Sequence, residues 1–174
     1  MKKLKLVFPC EGYADEWDAI IKEMEIETID ITPYSLKHRT SDYNEYLRIV
    51  RSFASGIDIP AGKVKAATYF LVEDTKKRIL GAIDIRFDLN EYLYNYGGNI
   101  GYGIRPSERR KGYATKMLAL ALDVCRQSGL KKVLVTCDED NIGSRRTIEK
   151  NGGVLENIVV CEGENVMRFW INLV

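Results

Sequence analysis

The chain carries a single histidine, His38, in 174 residues. A Ser-His or Cys-His nucleophilic device is therefore excluded unless His38 itself supplies the base. His38 sits in a polar stretch before a helix, a setting that favours a surface position. Four cysteines, Cys10, Cys125, Cys137 and Cys161, are widely spaced without a CxxC pair, which argues against a zinc site or a disulfide framework. Cys125 and Cys137 fall in apolar helix and strand patterns and read as small buried hydrophobes. Neither sign of charge is in excess, since 26 Lys and Arg against 25 Asp and Glu leave a formal net charge of +1. No global field is left to attract nucleic acid or an acidic membrane surface. No apolar run approaches a membrane span, and the N-terminal MKKLKLVFPC loses its apolar character after Phe8, too soon for a signal peptide. Internal repeats, low-complexity tracts and linkers are missing too. The expectation is one cytoplasmic domain over 1–174, long enough to bury a sizeable core.

What the chain does have is concentrated in 99–128, reading NIGYGIRPSERRKGYATKMLALALDVCRQS. A short apolar strand and a turn with Pro106 lead into a helix on which Met117, Leu118, Ala121, Leu122 and Cys125 share one face. The head of that helix reads Arg109-Arg110-Lys111-Gly112. Three cations there oppose the helix dipole by roughly 0.3–1 kcal/mol each. A glycine in the first turns costs about 1 kcal/mol against alanine. Two local rules broken at one place point to a site. Solvated surface cations are the ordinary explanation, but the strand-turn-helix context favours a bound anion. Free N–H groups, the dipole and the cations would all face it, and Gly112 would let the backbone come close. Phosphate is the natural occupant, although neither GxxxxGK[ST] nor a GxGxxG turn is present.

The rest of the chain reads as a strand over 4–8, a helix over 13–27 facing inward with Trp17, Ile20, Ile21 and Met24, and a loop over 29–37. A second helix spans 41–53, with Ser41 as a weak cap and Tyr43, Tyr46, Leu47, Val50 and Phe53 inward. Strands follow over 67–73 and 79–89. In the latter Ile83, Ile85 and Phe87 alternate with Asp84, Arg86 and Asp88. A tyrosine-rich loop over 90–95 closes on Gly97-Gly98. The 99–104 strand, its helix ending near Gly129, and a strand over 132–137 make a crossover unit, so these two strands should run parallel. A short helix over 142–150 is capped by Asn141. A hairpin of 154–161 and 166–173 turns across 163–165. The class is α/β, with antiparallel strands flanking one parallel pair.

Arg109-Arg110-Lys111-Gly112-Tyr113-Ala114 matches the [QR]-x-x-G-x-[GA] signature, placed between a strand and a long helix. After the next strand, Asn141-Ile142-Gly143-Ser144 and Ile148-Glu149-Lys150-Asn151-Gly152 match N-x-x-[SA] and the YEKxG segment. In these two motifs, in this order, the chain resembles the Gcn5-related N-acetyltransferases over about 80–155, and over the first 65 residues only in layout. The resemblance implies a twisted, mostly antiparallel sheet of about seven strands with helices on both faces. The strands over 99–104 and 132–137 would splay, with acetyl-CoA as cosubstrate in the opening. It also implies roles by position. Backbone groups of Tyr102 and Ile104 would pair with the pantetheine arm. Arg109, Arg110, Lys111, Gly112, Tyr113, Ala114 and Thr115 would hold the pyrophosphate. Asn141 and Ser144 would contact the lower part of the cofactor. Two positions depart from the family pattern. Ile148 stands where a tyrosine commonly protonates the leaving thiolate, leaving tyrosines 92, 94, 96 and 102 as substitutes, and Gly153 replaces the usual Phe.

The expected reaction is direct attack of a primary amine, on a small molecule or a peptide, on the acetyl thioester. It needs a base near the splay. Glu91 ranks first, since the aromatic loop around it would dehydrate its carboxyl, with Asp138 and Glu139 behind it. A non-catalytic acyl-CoA binding or sensing domain is the alternative that Ile148 permits, and a nucleotide-phosphate binder unrelated to CoA is a third. No metal is implied. A homodimer paired through the last strand, over 166–173, is compatible with the pattern.

Overall fold

The structure is a computed structural model that describes residues 3–28 and 30–174. Met1, Lys2 and Ile29, the last of these opening the expected 29–37 loop, lie outside the described residues. Leu4–Val7 is β1 and Ala14–Glu27 is α1, whose Trp17, Ile20, Ile21 and Met24 are buried as their helical spacing requires. α2 is Tyr43–Ser55, and its cap is Asp42 in place of Ser41: the carboxylate accepts from the N–H groups of Asn44 and Glu45. β2 (Ala66–Glu73) and β3 (Ile79–Arg86) form a hairpin, and β4 (Ile100–Ile104) returns beside β3. α3 (Tyr113–Gln127), β5 (Lys132–Asp138) and α4 (Ile142–Lys150) follow. β6 (Val154–Cys161) and β7 (Glu164–Asn172) close the chain.

One seven-stranded sheet of order β1-β2-β3-β4-β5-β7-β6 carries these elements, and β4–β5 is its parallel pair. One core cluster packs α3 and α4 on one face through Met117, Leu118, Leu122 and Ile148. The other packs α1 and α2 on the opposite face through Trp17, Ile20, Tyr46 and Phe70. Each fully buried side chain of this size contributes about 1.5–3 kcal/mol. Among the described residues no helix is long and apolar enough to cross a membrane.

Four expectations need correction. The strand expected to reach residue 89 stops at Arg86, because the chain leaves the sheet for a helical turn. The tyrosine-rich loop is that turn: it opens where Asn90 Oδ1 accepts from the Leu93 N–H at 2.9 Å, and Leu93–Gly97 is a π-helix. The final hairpin turns earlier, at Glu162-Gly163, where both residues take positive φ, and β7 therefore begins at Glu164. β7 lies between β5 and β6, with a paired neighbour on either side. The outer strands of the sheet are β1 and β6, and β6, with Val154, Leu155, Ile158 and Val160 exposed, covers β7, so the last strand offers no edge to a second copy.

Candidate active site

β4 and β5 share one ladder pair, Ile100 with Val135. Asn99 pins them at that point. Its carboxamide oxygen accepts from the Leu134 N–H (2.8 Å), its Nδ2 donates to the Arg86 carbonyl (3.0 Å), and its N–H donates to the Leu134 carbonyl (2.7 Å). Beyond this pin the two strands make no further pairs, leaving an opening in the sheet. The Asn99 carbonyl and the Arg105 N–H both bond to β3, so by alternation the backbone groups of Tyr102 and Ile104 face away from β3, toward that opening. The Ile104 carbonyl accepts from Arg109 Nε at 3.3 Å.

A cleft of about 1360 Å³ passes through the opening. On the α3/α4 face its walls include Tyr102, Cys137, Asp138, Asn141 and Ser144. The Tyr102 hydroxyl meets Ser144 Oγ at 2.8 Å, and the Asn141 side chain caps α4 by accepting from the Ser144 N–H. Burial pushes the Tyr102 phenol up to about 12, so it stays protonated. Burial likewise pushes the Cys137 thiol up to about 11, which makes it an inert core thiol. Ile148 is fully buried in the core.

The basic cluster differs from its expected placement. Gly112 is the N-cap of α3 at φ +79, so Arg109, Arg110 and Lys111 occupy the turn ahead of the helix and the glycine is outside it. Arg109 pairs with Glu27 of α1, and Lys111 with Glu108 at 2.8 Å, which holds the Glu108 carboxyl below its usual range. These pairings remove much of the expected conflict with the dipole. Among the described residues Arg110 has no ion-pair partner, and it adopts φ +61. That conformation costs a non-glycine residue about 1–2 kcal/mol. Left-handed corners at Arg110 and Gly112 alternate with Lys111, the pattern of backbone nests that cup anions. A Cβ placed on Gly112 would meet nothing within 4 Å. Tyr113, Ala114 and Thr115 open the first turn of α3, where backbone N–H groups have no helical acceptor. A diphosphate-bearing cofactor with an amide arm fits this set of donors and the free backbone edge of β4.

On the α1/α2 face the cleft is lined by Tyr34, Ser35, His38, Phe53, Thr68, Asp84, Arg86, Tyr92 and Tyr96. His38 is not a surface residue. It is half-buried, stacked on Phe53 (5.2 Å, 21°) and edge-on to Tyr34 (5.4 Å, 82°). Burial, with Lys63 nearby, pushes it down to about 4. Asp84 is 5% exposed. Thr68 Oγ1 donates to its Oδ1 at 3.2 Å and Arg86 Nε to its Oδ2 at 3.1 Å. Burial raises its carboxyl, an effect that Arg86 and Thr68 offset only in part. Glu91, by contrast, is exposed and outside the cleft lining, so the aromatic turn does not dehydrate it. Asp138 and Glu139 are exposed as well, and Glu139 accepts from Asn165 Nδ2 at 2.7 Å.

The structure thus brings Tyr102, Asn141 and Ser144 together at the opening and sets 109–115 at the head of α3, apart from the cleft lining. Sequence reasoning missed Asp84, Arg86, Thr68 and Ser35. A signal existed, because Asp84 and Arg86 share a face, and Gly101 and Gly103 on the adjacent strand leave that face bare.

The profile described as "Acetyltransferase (GNAT) domain" matches residues 9–154. The chain belongs to the GNAT acetyltransferase family. It is 27% identical over 141 residues to the uncharacterized N-acetyltransferase YjdG of Bacillus subtilis (strain 168), covering 79% of this chain and 75% of that protein. Its fold is similar to that of Mycobacterium smegmatis RimJ in complex with CoA-disulfide, with TM-score 0.71, 18% identity, and 97% and 81% of the two chains covered. It is also similar to the microcin C7 self immunity acetyltransferase MccE in complex with acetyl-CoA and AMP, with TM-score 0.68, 18% identity, and 98% and 92% covered. As a GNAT protein, this chain is an acetyl-CoA-dependent N-acetyltransferase.

Proposed function

We propose that this GNAT enzyme, working as one cytoplasmic catalytic domain, acetylates a primary amine on a small molecule or a peptide by direct attack. The observation that carries this reading is the cleft itself. It reaches both faces of the sheet through the opening between β4 and β5, so two substrates entering from opposite sides meet end to end. Acetyl-CoA supplies an activated acetyl thioester. The chain's residues do the rest. The outward backbone groups of Tyr102 and Ile104 align an amide-bearing arm as an added strand would. Backbone N–H groups of Arg110, Lys111, Gly112, Tyr113, Ala114 and Thr115, with the charge of Arg109, Arg110 and Lys111, hold a diphosphate. Asn141 and Ser144 flank the arm's lower part.

The Tyr102 phenol, held on Ser144 Oγ and protonated across the working range, stands as proton donor to the leaving thiolate. In this reading it takes the place of the tyrosine that Ile148 replaces. Isotopically labelled acetyl-CoA, incubated with the protein and a panel of amino acid amides, peptides, polyamines and aminoalkyl phosphates, tests the reading. Label should move to at least one primary amine. Coenzyme A binding without transfer to any of them would make the protein an acyl-CoA sensor instead.

A further inference from the structure

Asp84 lies where the two halves of the cleft meet. It pairs across β3–β4 with Gly101, one residue from the Ile100–Val135 pair that ends at the opening. Gly101 has no side chain, so β4 puts nothing over the Asp84 face there, and the space is flanked by the Arg86 guanidinium of β3, 3.0 Å from where a Gly101 Cβ would be. Around Asp84 the hydrogen bonding is incomplete. Its two oxygens accept one bond each, from Thr68 and Arg86. A carboxylate accepts about four. Arg86 Nη1 donates to the Gly97 and Gly98 carbonyls, at 2.9 and 3.2 Å, while Nη2 lies over Gly101.

One hydroxyl of the cleft lining, Ser35 Oγ, is buried without a hydrogen bond of good geometry, yet it acts on the Asp84 carboxyl and favours its charged form. Tyr46 Oη, also unpartnered and 0% exposed, feels the Asp84 charge from outside the cleft lining. A closed structural ion pair would leave no such gaps, since buried polar groups are nearly always satisfied. A partner that fills the pocket must donate to Asp84 and also to the Ser35 oxygen. A primary ammonium has three N–H donors and one positive charge.

We propose that the Asp84 pocket, with Ser35, is the seat of the acceptor's primary ammonium group, and that Asp84 removes its proton. This rests on the acetyltransferase reading above and replaces Glu91 as the base. The ammonium gives one proton to Asp84, and the freed lone pair forms the C–N bond to the acetyl carbon. The C–S bond breaks, the Tyr102 phenol protonates the departing thiolate to give the thiol, the second N–H proton restores the phenol through solvent, and Asp84 releases its proton to water. The class of acceptor follows from the same geometry. N-methylated amines lose donors and add bulk in a dehydrated pocket, and alcohols bring no charge to pair with Asp84. Primary alkylamines are therefore selected over both.

The charged and titratable groups facing Asp84 are few. Arg86 comes from its own strand and Tyr46 from α2. β2 contributes Thr68, the turn at 34–36 contributes Ser35, and β4 contributes Gly101, none of which titrates. Ionisation of Asp84 thus accounts for the acid limb of activity, and that limb lies above the ordinary aspartate range because burial raises the group.

The test uses the best primary amine from the labelled-acetyl panel. Asp84→Asn should lower kcat/KM about a hundredfold or more and remove the acid limb, with coenzyme A affinity by calorimetry within about twofold of wild type. Asp84→Glu should keep a limb. The N-methyl analogue of the same amine should be a poor substrate for the wild type. An Asp84→Asn enzyme that retains its rate and its acid limb overturns the proposal while leaving the transferase reading intact. If the wild type acetylates no amine, that reading fails by itself, and carboxyl carbon NMR still decides the pocket. Adding propylamine should shift the Asp84 resonance and move its titration to lower pH, and no response overturns the seat.

Discussion

The two mouths of the cleft are made of opposite materials. On the α3/α4 side the groups offered are mainly backbone: the outward edge of β4 and, beyond the cleft lining, the left-handed turn at Arg110 and Gly112 and the uncapped head of α3. On the α1/α2 side they are side chains, with rings at Tyr34, His38, Phe53, Tyr92 and Tyr96 around a buried carboxylate. A diphosphate and its amide arm can be recognised by N–H and carbonyl groups, which every residue carries. An amine acceptor gives the backbone little to hold, so charge and shape must come from chosen side chains in a dehydrated pocket. One mouth is therefore generic and the other particular.

The largest expected effect comes from breaking the joint between them. Arg105, at the end of β4, is 3% exposed and donates to Glu16 (2.8 Å), Glu23 (2.6 Å) and the Ile79 carbonyl (3.3 Å), binding α1 to the turn that leads into α3. Arg105→Met strands two carboxylates that are themselves only partly buried. The cost should sit at the low end for a broken buried pair, about 3 kcal/mol, read as a lowered urea midpoint. Both mouths should loosen together. A midpoint equal to wild type would show that α1 does not carry the turn.

Next comes a change aimed at the acceptor mouth alone. A Cβ on Gly103 would lie 2.0 Å from the Thr32 carbonyl oxygen, backbone against backbone. Gly103→Ala must push the segment around Thr32 off the sheet at a cost of about 2 kcal/mol. Acceptor kcat/KM should fall about tenfold or more while coenzyme A affinity holds. Equal losses on both substrates would mean that β4 itself had moved, blurring the contrast.

The same contrast explains what was legible beforehand. Helix and strand periodicity located all seven strands and four helices, because both cores are built from regular apolar faces such as Met117, Leu118, Ala121 and Leu122. Asn141 could be read as a cap from local chemistry alone, whereas Asp42 was passed over for its neighbour Ser41. The proposed anion cradle showed as a local conflict at Arg109 to Gly112, although the helix begins at Tyr113, after the four residues that reading placed at its head. The proposed acceptor pocket was not visible. Ser35, Thr68 and Asp84 come from a turn and two strands, and the pairing of Thr68 with Asp84 and of Asp84 with Gly101 is what brings the strand residues together. Asp84 read as one polar member of an alternating strand because alternation cannot say whether the polar face meets water or a buried cleft. His38 was misplaced for the same reason, since its burial is created by Phe53 and Tyr34 folding over it.

A smaller effect isolates the cofactor mouth. Gly112→Val meets no protein atom, so any loss comes from strain at φ +79 and from a side chain standing where an anion would approach. Coenzyme A binding should weaken about tenfold, or 1.4 kcal/mol, with acceptor KM unchanged. Undiminished affinity in a folded variant would remove the turn from the site.

The smallest effect is one of pH on stability, and it bears on which group governs the acceptor mouth. His38 falls from an ordinary 6.5 to about 4 in the fold, because burial disfavours its charged form and Lys63 adds to that. Between those values the unfolded chain binds more protons than the folded one, so stability rises with pH from about 4 to 6.5 and is lost as pH falls through that window. His38→Phe, which keeps a flat ring against Phe53, should flatten this slope in thermal melts across the same range. It should leave the acid limb of turnover in place, since His38 is neutral wherever the enzyme works. If the limb vanished with His38, the proton acceptor would be the imidazole, and the Asp84 carboxylate would serve only to bind charge.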